Sequence, residues 1–214
     1  MRGLSLTCLL AASAFAQTGK LGAFTDSGDV GGPSLKGATE FDASKNQYRI
    51  TGAGANIWAK EDQFQYVWRQ MSGNISFTAT LQFLGEGAAH RKAGIMLRQT
   101  LDTDSPYIDL VVHGNGMPAV QWRNTKGDKT NMFDFAFDGP AKFKLKLVRV
   151  GNTVTVWMAK EGAELREVGH TEALLGNPVF AGLAVCSHNA AVAETVVFSD
   201  VSVEQLAAPA AKKQ

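Results

Sequence analysis

Polar side chains recur at every second position in three successive stretches of the chain, and this spacing could build a binding surface. Residues 92–98, 107–112 and 119–123 alternate between two sets of side chains, a pattern typical of β-strands with one buried face. If the strands pair antiparallel, one sheet face carries Lys92, Met96, Arg98, Asp109, Gln121 and Arg123. Such a face could hold a ligand, or its charges could pair with one another, as in an Arg98–Asp109 cross-strand ion pair.

An aromatic ring near this face would complete a site for a sugar. Sugars have apolar C–H faces and polar rims, so their sites combine aromatic platforms with hydrogen-bonding side chains. Trp58 follows the glycine-rich residues 52–55, which suits a ring mounted on a loop. The arginines would donate hydrogen bonds, Asp109 and Gln121 would accept or orient, and His113 would rim the site. The candidate ligand-binding residues are Trp58, Arg98, Asp109, His113, Gln121 and Arg123.

The acidic residues lack the spacing that glycoside hydrolysis from a single strand would need. Retaining hydrolysis uses two carboxyls about 5–5.5 Å apart, which alternate residues of one strand could supply. Glu61 and Asp62 are adjacent, so an extended strand would point them to opposite faces. Asp102 and Asp104 precede a turn. The sequence therefore assigns no catalytic residue, while a carboxyl pair assembled from distant strands stays open.

The sequence gives only weak signals for a metal site. The histidines at positions 90, 113, 170 and 188 do not follow the spacing of a zinc motif. A structural calcium ion could join the first and last segments of the domain through Asp26, Asp29 and Asp200. The alternative is that these aspartates cap turns by accepting hydrogen bonds from local backbone N–H groups. No other cofactor is predicted.

Strand and turn signals dominate the rest of the chain. Alternating runs at 64–69, 75–83, 143–147 and 153–158 are separated by turn sequences such as Gly151-Asn152, which predicts a hairpin. No long amphipathic helix is evident, although residues 172–175 could form one helical turn. Many short strands with regular turns predict an all-β fold, an antiparallel two-sheet sandwich of Greek-key or jelly-roll type.

The two ends of the sequence are not expected to belong to this sandwich. Arg2, an apolar run and Ala14-Phe15-Ala16 have the order of a cleavable signal peptide over residues 1–16. Residues 17–206 would form a single domain, and residues 207–214 a disordered tail. We therefore expect an exported protein, periplasmic or extracellular, with no transmembrane segment. Cys186, the lone cysteine after residue 16, cannot form an intramolecular disulfide.

The near-equal numbers of basic and acidic side chains limit the classes of molecule expected as the main partner. The chain carries 21 basic and 20 acidic side chains, and removing Arg2 with the signal peptide leaves 20 of each. A net charge near zero argues against nucleic acid or an anionic membrane surface as the main partner.

Nine short motifs together resemble a family of exported bacterial domains. They are Asp29-Val30-Gly31, residues 48–52, Asn56-Ile57-Trp58, residues 62–68, residues 92–98, Asp104-Ser105, His113-Gly114, Gln121-Trp122-Arg123 and Cys186-Ser187-His188. Their order is similar to that of a concanavalin A-like lectin/glucanase-fold family of unknown function, labelled a "regulation of enolase" domain, whose relatives are sometimes attached to TolB-like propellers. The resemblance covers most of residues 22–203. It implies a concanavalin A-like jelly roll and no established reaction.

These observations favour a non-catalytic, lectin-like function. The leading hypothesis is an exported binding module for a carbohydrate or cell-envelope polymer, which would use the polar sheet face. One alternative is a glycan-active hydrolase with carboxylates from separate strands. The other is a protein–protein interaction domain of an envelope complex, whose partner would be a protein.

Overall fold

The strands of the protein form two large antiparallel sheets. The computed structural model describes residues 21–136 and 142–207, so the predicted signal peptide and most of the predicted tail lie outside it. In spatial order, the first sheet contains β1 (Asp26–Val30), β6 (Phe64–Met71), β15 (Val179–Cys186), β8 (Lys92–Arg98), β9 (Tyr107–His113), β10 (Pro118–Arg123) and β11 (Asn131–Asp134). The second contains β14 (Arg166–Glu172), β13 (Thr153–Lys160), β12 (Phe143–Val150), β7 (Asn74–Leu84), β16 (Glu194–Leu206), β3 (Gln47–Gly52) and β2 (Ala38–Asp42).

Period-2 alternation places the main core between these sheets. On β8 the inward residues are Ala93, Ile95 and Leu97, and all three are fully buried. They face a matching apolar row from β7 and β12 of the second sheet, including Phe77 and Leu145. Burying two such rows against each other supplies the main driving force for the sandwich. The predicted all-β, two-sheet antiparallel architecture is confirmed.

The turn predictions have mixed outcomes. The hairpin at Gly151-Asn152 is confirmed: it joins β12 to β13, and Gly151 adopts the positive φ of 61° that glycine tolerates without strain. The helical turn expected at residues 172–175 is wrong. Here β14 extends through Glu172, and the Ala173 N–H then donates to the Asn152 carbonyl beside the ladder. The described ranges contain no α-helix.

No helix within residues 21–136 and 142–207 is long and apolar enough to cross a membrane.

A small hairpin adds a third layer over the outer face of the first sheet. It consists of β4 (Ile57–Trp58) and β5 (Glu61–Asp62), paired as Ile57 with Asp62 and Trp58 with Glu61. Ile57 of the hairpin packs into a second apolar cluster on this face, built from Val30, Ile57, Phe64, Tyr66, Met96, Tyr107, Ala184 and Cys186. The first sheet therefore has apolar contacts on both faces, and the hairpin covers part of its polar outer side chains.

Candidate functional site

Two of the predicted ligand-binding residues, Arg98 and Arg123, lie beneath the hairpin. Both are fully buried, and both pair with the fully buried carboxylate of Asp62 on β5. Arg98 Nη1 donates to Asp62 Oδ2 at 2.8 Å. Arg123 binds the same carboxylate through two nitrogens, at 2.8 and 2.9 Å. The prediction that these arginines face an open surface is wrong, because the hairpin brings a carboxylate down onto them.

Several other donors of the two guanidinium groups reach backbone oxygens of the hairpin and of the neighbouring loops, whereas Arg98 Nε has no partner among the described residues. Arg98 Nη2 donates to the Asp102 carbonyl and, at 3.1 Å, to the Thr103 carbonyl. Arg123 donates to the Asp128, Ser105 and Ala59 carbonyls at 3.0 to 3.1 Å. A guanidinium group has five N–H donors in a fixed fork, and here the two forks hold two loops and the hairpin together. The role of this ion-pair network is to position the hairpin.

The backbone also attaches the hairpin to its surroundings. The Asp62 N–H donates to the Thr103 carbonyl at 3.0 Å, and the Thr130 N–H donates to the Ala59 carbonyl at 2.9 Å. Ala59 lies at the tip of the hairpin with a φ of 53°, a conformation that is costly for a residue with a Cβ atom. These contacts fix the path of the chain on either side of Trp58.

Asp109 is fully buried, and the structure does not pair it with Arg98. Its β9 position lies opposite Met96 and Gln121 rather than Arg98. Neither carboxylate oxygen accepts a hydrogen bond of ordinary geometry from the described residues. Burial raises the pKa of the Asp109 carboxyl well above its usual range. A cross-strand Arg98–Asp109 ion pair is therefore wrong, and Asp109 favours its neutral form.

The other three predicted residues, Trp58, His113 and Gln121, line one pocket at the edge of the hairpin. This cavity, of about 320 Å³, is called the Trp58 pocket below. Its lining comprises Asn56, Trp58, His90, Lys92, His113, Met117, Gln121, Met132 and His188. The Trp58 ring is partly exposed, and Lys92 Nζ lies over it at 5.6 Å from the ring centroid, a cation–π contact. A ring next to polar groups is the arrangement that sugar binding requires.

Gln121 supplies a buried polar atom without a partner at this pocket. The residue is 1% exposed, and its Oε1 accepts no hydrogen bond from any described residue. Buried polar atoms are nearly always hydrogen-bonded, since leaving one unsatisfied costs about 1–3 kcal/mol. Because Gln121 lines the Trp58 pocket, this unsatisfied acceptor lies in the pocket wall.

Three histidines from distant parts of the chain meet at the same pocket. The rings of His90 and His113 are 5.7 Å apart, and those of His90 and His188 are 5.6 Å apart. His113 is buried, and its Nδ1–H donates to the Met117 carbonyl at 2.9 Å, which leaves Nε2 as an acceptor. Burial lowers the pKa of His113 to about 4, so its ring is neutral at pH 7.

Sequence reasoning missed four polar members of this pocket as site residues: Asn56, His90, Lys92 and His188. The histidines are too far apart in sequence for a spacing rule to group them. The alternation placed Lys92 on the polar face, but the sequence did not show which groups its Nζ would contact. Its Nζ donates to Asn56 Oδ1 at 2.5 Å and to the Ile57 carbonyl at 3.1 Å, and both acceptors come from the hairpin segment. The resemblance motifs containing Asn56, Lys92 and His188 were the available signal.

The predicted calcium ligands do not form a ligand set. Both Asp29 carboxylate oxygens accept hydrogen bonds from the Gly37 N–H, and Asp26 accepts one from the Ser27 N–H. Asp200 is exposed on β16 with a φ of 52°. Across residues 21–136 and 142–207, no three His, Cys, Asp or Glu side chains are grouped to hold a metal ion. Asp26 and Asp29 accept hydrogen bonds from backbone N–H groups, as the alternative predicted, while Asp200 contacts the Ser199 hydroxyl; a structural calcium ion stays a prediction that the melting temperature with and without EDTA would test.

Comparison with known proteins identifies the fold and no family. No family model and no curated protein matches the chain. Among solved structures, a functionally unknown protein from Saccharomyces cerevisiae superposes with a TM-score of 0.65 at 14% identity, covering 86% of this chain and 96% of that one. The carbohydrate binding module CBM66 from Bacillus subtilis gives a TM-score of 0.53 at 14% identity, covering 86% and 98%.

Enzymes of carbohydrate metabolism are also similar in fold. An alginate lyase from Klebsiella pneumoniae gives a TM-score of 0.54 at 11% identity, covering 79% of this chain and 84% of that one. The xyloglucan-locus protein GH43B from Bacteroides ovatus gives 0.56 at 17% identity, but the match spans only 33% of that longer chain. These likenesses show the fold alone: the chain is a concanavalin A-like jelly-roll sandwich, as predicted.

Proposed function

We propose that this chain is an exported, non-catalytic carbohydrate-binding module that holds a sugar in the Trp58 pocket. The observation that carries the proposal is the pairing of a partly exposed Trp58 ring with the buried, unpartnered Oε1 of Gln121 across one cavity. The ring offers a platform for the apolar face of a sugar, and Gln121 accepts a hydrogen bond from a hydroxyl group. The carbohydrate binding module from Bacillus subtilis, which is similar in fold, supports the same class of ligand.

The lining of the pocket favours binding over hydrolysis. Glycoside hydrolysis normally uses two carboxyl groups, one on each side of the scissile bond. None of the described residues that line the Trp58 pocket is Asp or Glu. Asp109 lies near Gln121 but is fully buried under the sheet surface. The hydrolase alternative therefore has no carboxyl pair at this cavity.

A glycan array with the full chain tests the proposal. We expect retention of at least one glycan, and we expect Trp58→Ala to reduce its affinity by about tenfold, because packing on an aromatic ring contributes about 0.5–1.5 kcal/mol beyond the apolar area that it buries. Trp157→Ala is the matched control. Trp157 is also partly exposed, and it also has a lysine over its ring, Lys146 at 5.4 Å, but it lies on the other sheet.

The same preparations separate the alternatives. Retention without release of reducing sugar supports a binding module, whereas release of reducing sugar would show a hydrolase. Equal losses for the two tryptophan variants would place the site elsewhere and contradict the proposal. No retention of any glycan, together with co-purification of an envelope protein, would favour the interaction domain instead.

A further inference from the structure

The described residues that line the Trp58 pocket include basic side chains but no acidic one. Its titratable lining groups within the described ranges are Lys92 and the three histidines, and none of them is acidic. Lys92 is 3% exposed, so this cation is held at the wall of the cavity and cannot swing freely into solvent. A buried ammonium group is stable only where hydrogen bonds or an opposite charge compensate for the lost hydration.

The described residues provide acceptors for only some of the N–H donors of Lys92. An ammonium group has three N–H donors, and two of them find acceptors, Asn56 Oδ1 and the Ile57 carbonyl. No acidic side chain of the described residues lies within ion-pair distance of its Nζ. The third donor therefore has no hydrogen-bond acceptor among the described residues, and the nearest group that meets the positive charge at the cavity is the face of the Trp58 ring.

Neither nearby carboxylate makes an ion-pair contact with Lys92, although the Coulombic attraction of Asp109 partly offsets the effect of burial on the pKa of the lysine. Asp62 is held by Arg98 and Arg123 at 2.8 to 2.9 Å. Asp109 interacts with Lys92 only through space, and burial raises the pKa of its carboxyl and so favours the uncharged acid. Burial also lowers the pKa of Lys92 itself, so an anion arriving from outside would stabilise its charged form.

We propose that the sugar held in the Trp58 pocket is acidic, a uronate whose carboxylate binds Lys92 Nζ while its ring face packs on Trp58. The 5.6 Å between Nζ and the ring centroid places both groups within the span of one pyranose unit that bears a carboxylate. A charge-assisted hydrogen bond to the carboxylate would use the third donor of Lys92. This inference rests on the proposed function, and it adds the class of ligand.

Two acidic polymers and their esters test the inference. Polygalacturonate and alginate are compared with methyl-esterified pectin and the propylene glycol ester of alginate, which keep the backbone and lose the charge. By affinity electrophoresis of the full chain, we expect at least one acid form to bind about tenfold more tightly than its ester, because bonds to charged groups contribute more than neutral ones.

Substitution of the lysine gives a second, independent measurement. Lys92→Met keeps the length of the side chain and removes the charge, so we expect about a tenfold loss of affinity for the acid form and less than a twofold change for its ester. Lys146→Met is the matched control, since Lys146 lies over Trp157 in the same way. If Lys92→Met lacks a cooperative thermal transition, the comparison of acid and ester forms on the wild-type chain decides alone.

The outcomes distinguish this inference from the proposed function. If neutral glycans are retained and neither acid form exceeds its ester, the pocket is not selective for acidic sugars and the inference is overturned, while the proposed function stands. An equal loss in Lys146→Met would also overturn it. If no polymer is retained, whether neutral or acidic, the proposed function fails and the inference fails with it.

Discussion

Asp62 and Arg123 form a bidentate ion pair in the interior of the protein, with N–O distances of 2.8 and 2.9 Å, and neither side chain is exposed. Asp62 belongs to the β4–β5 hairpin, and Arg123 is the last residue of β10. The contact therefore joins the segment that carries Trp58 to the sheet beneath it. A planar guanidinium fork on a carboxylate fixes both distance and orientation, so this pair determines where the Trp58 ring stands.

Asp62→Asn should destabilise the fold strongly. The substitution leaves two buried arginine charges without their shared carboxylate, and removing one partner of a buried ion pair costs about 3–5 kcal/mol. Urea denaturation at neutral pH measures the loss. Glu61→Gln is the matched control: Glu61 is the preceding residue on the same strand but is exposed, so its free energy of unfolding should change by less than about 0.5 kcal/mol. Similar values for the two variants would contradict the positioning role of Asp62.

The inner faces of the two sheets were predictable from sequence. The hairpin that covers the outer face of the first sheet was not. Alternation identifies the two faces of β8 and β9, but it does not say whether the second face meets water or protein. A signal for the cover did exist: Met96 and Tyr107 are large, and they occupy the face assigned as polar. Every residue of both strands is buried, which is the behaviour of strands covered on both sides.

The pocket was predictable only in part. Trp58 follows from its loop position, Gln121 from its strand phase, and His113 from its place near the end of the polar sheet face. His90 and His188 are separated by 98 positions and come together only because β15 lies beside β8 in the sheet. A single sequence does not reveal such a long-range strand pairing, since period-2 patterns carry no information about which strands are neighbours.

Asp109→Asn should remove a dependence of stability on pH. The pKa of the buried Asp109 carboxyl is raised above its ordinary value of 3.8. Above pH 3.8 and up to its folded pKa, the native state binds more protons than the unfolded state. Its contribution to stability is therefore present at low pH and is lost as the pH rises. The asparagine variant should gain stability relative to wild type as the pH rises from 3.8 towards the raised pKa of the folded protein.

Unfolding free energies across this range, measured by urea denaturation, check the prediction for Asp109. Asp134→Asn, on the exposed edge strand β11, provides the control and should follow the wild-type profile. A constant difference between Asp109→Asn and wild type at all pH values would show that the carboxyl ionises normally in the folded protein.

His113 should give a pH dependence of the opposite sign. Burial lowers its pKa from 6.5 to about 4, so between these values the unfolded state binds more protons than the native state. Stability is then fully present above pH 6.5 and falls as the pH drops towards and below 4, by about 3 kcal/mol in total. His113→Gln should flatten this part of the profile, and thermal melts at several pH values would show it.

The exposed His170 provides the comparison for His113, because its side chain is 69% exposed. His170→Gln should keep the fall in stability seen for the wild type. If His113→Gln keeps that fall as well, proton binding by His113 does not control acid stability and its ring is not held neutral.

The most direct test of the account is the location of a bound glycan on the protein, measured by NMR on the full chain. During titration with an oligosaccharide of the retained polymer, we expect the largest shifts at the Trp58 indole N–H and at the rings of His113 and His188, which line the pocket. The Trp157 indole N–H should stay unchanged. Shifts centred on Trp157 and Lys146, with the Trp58 signal unmoved, would contradict the central claim.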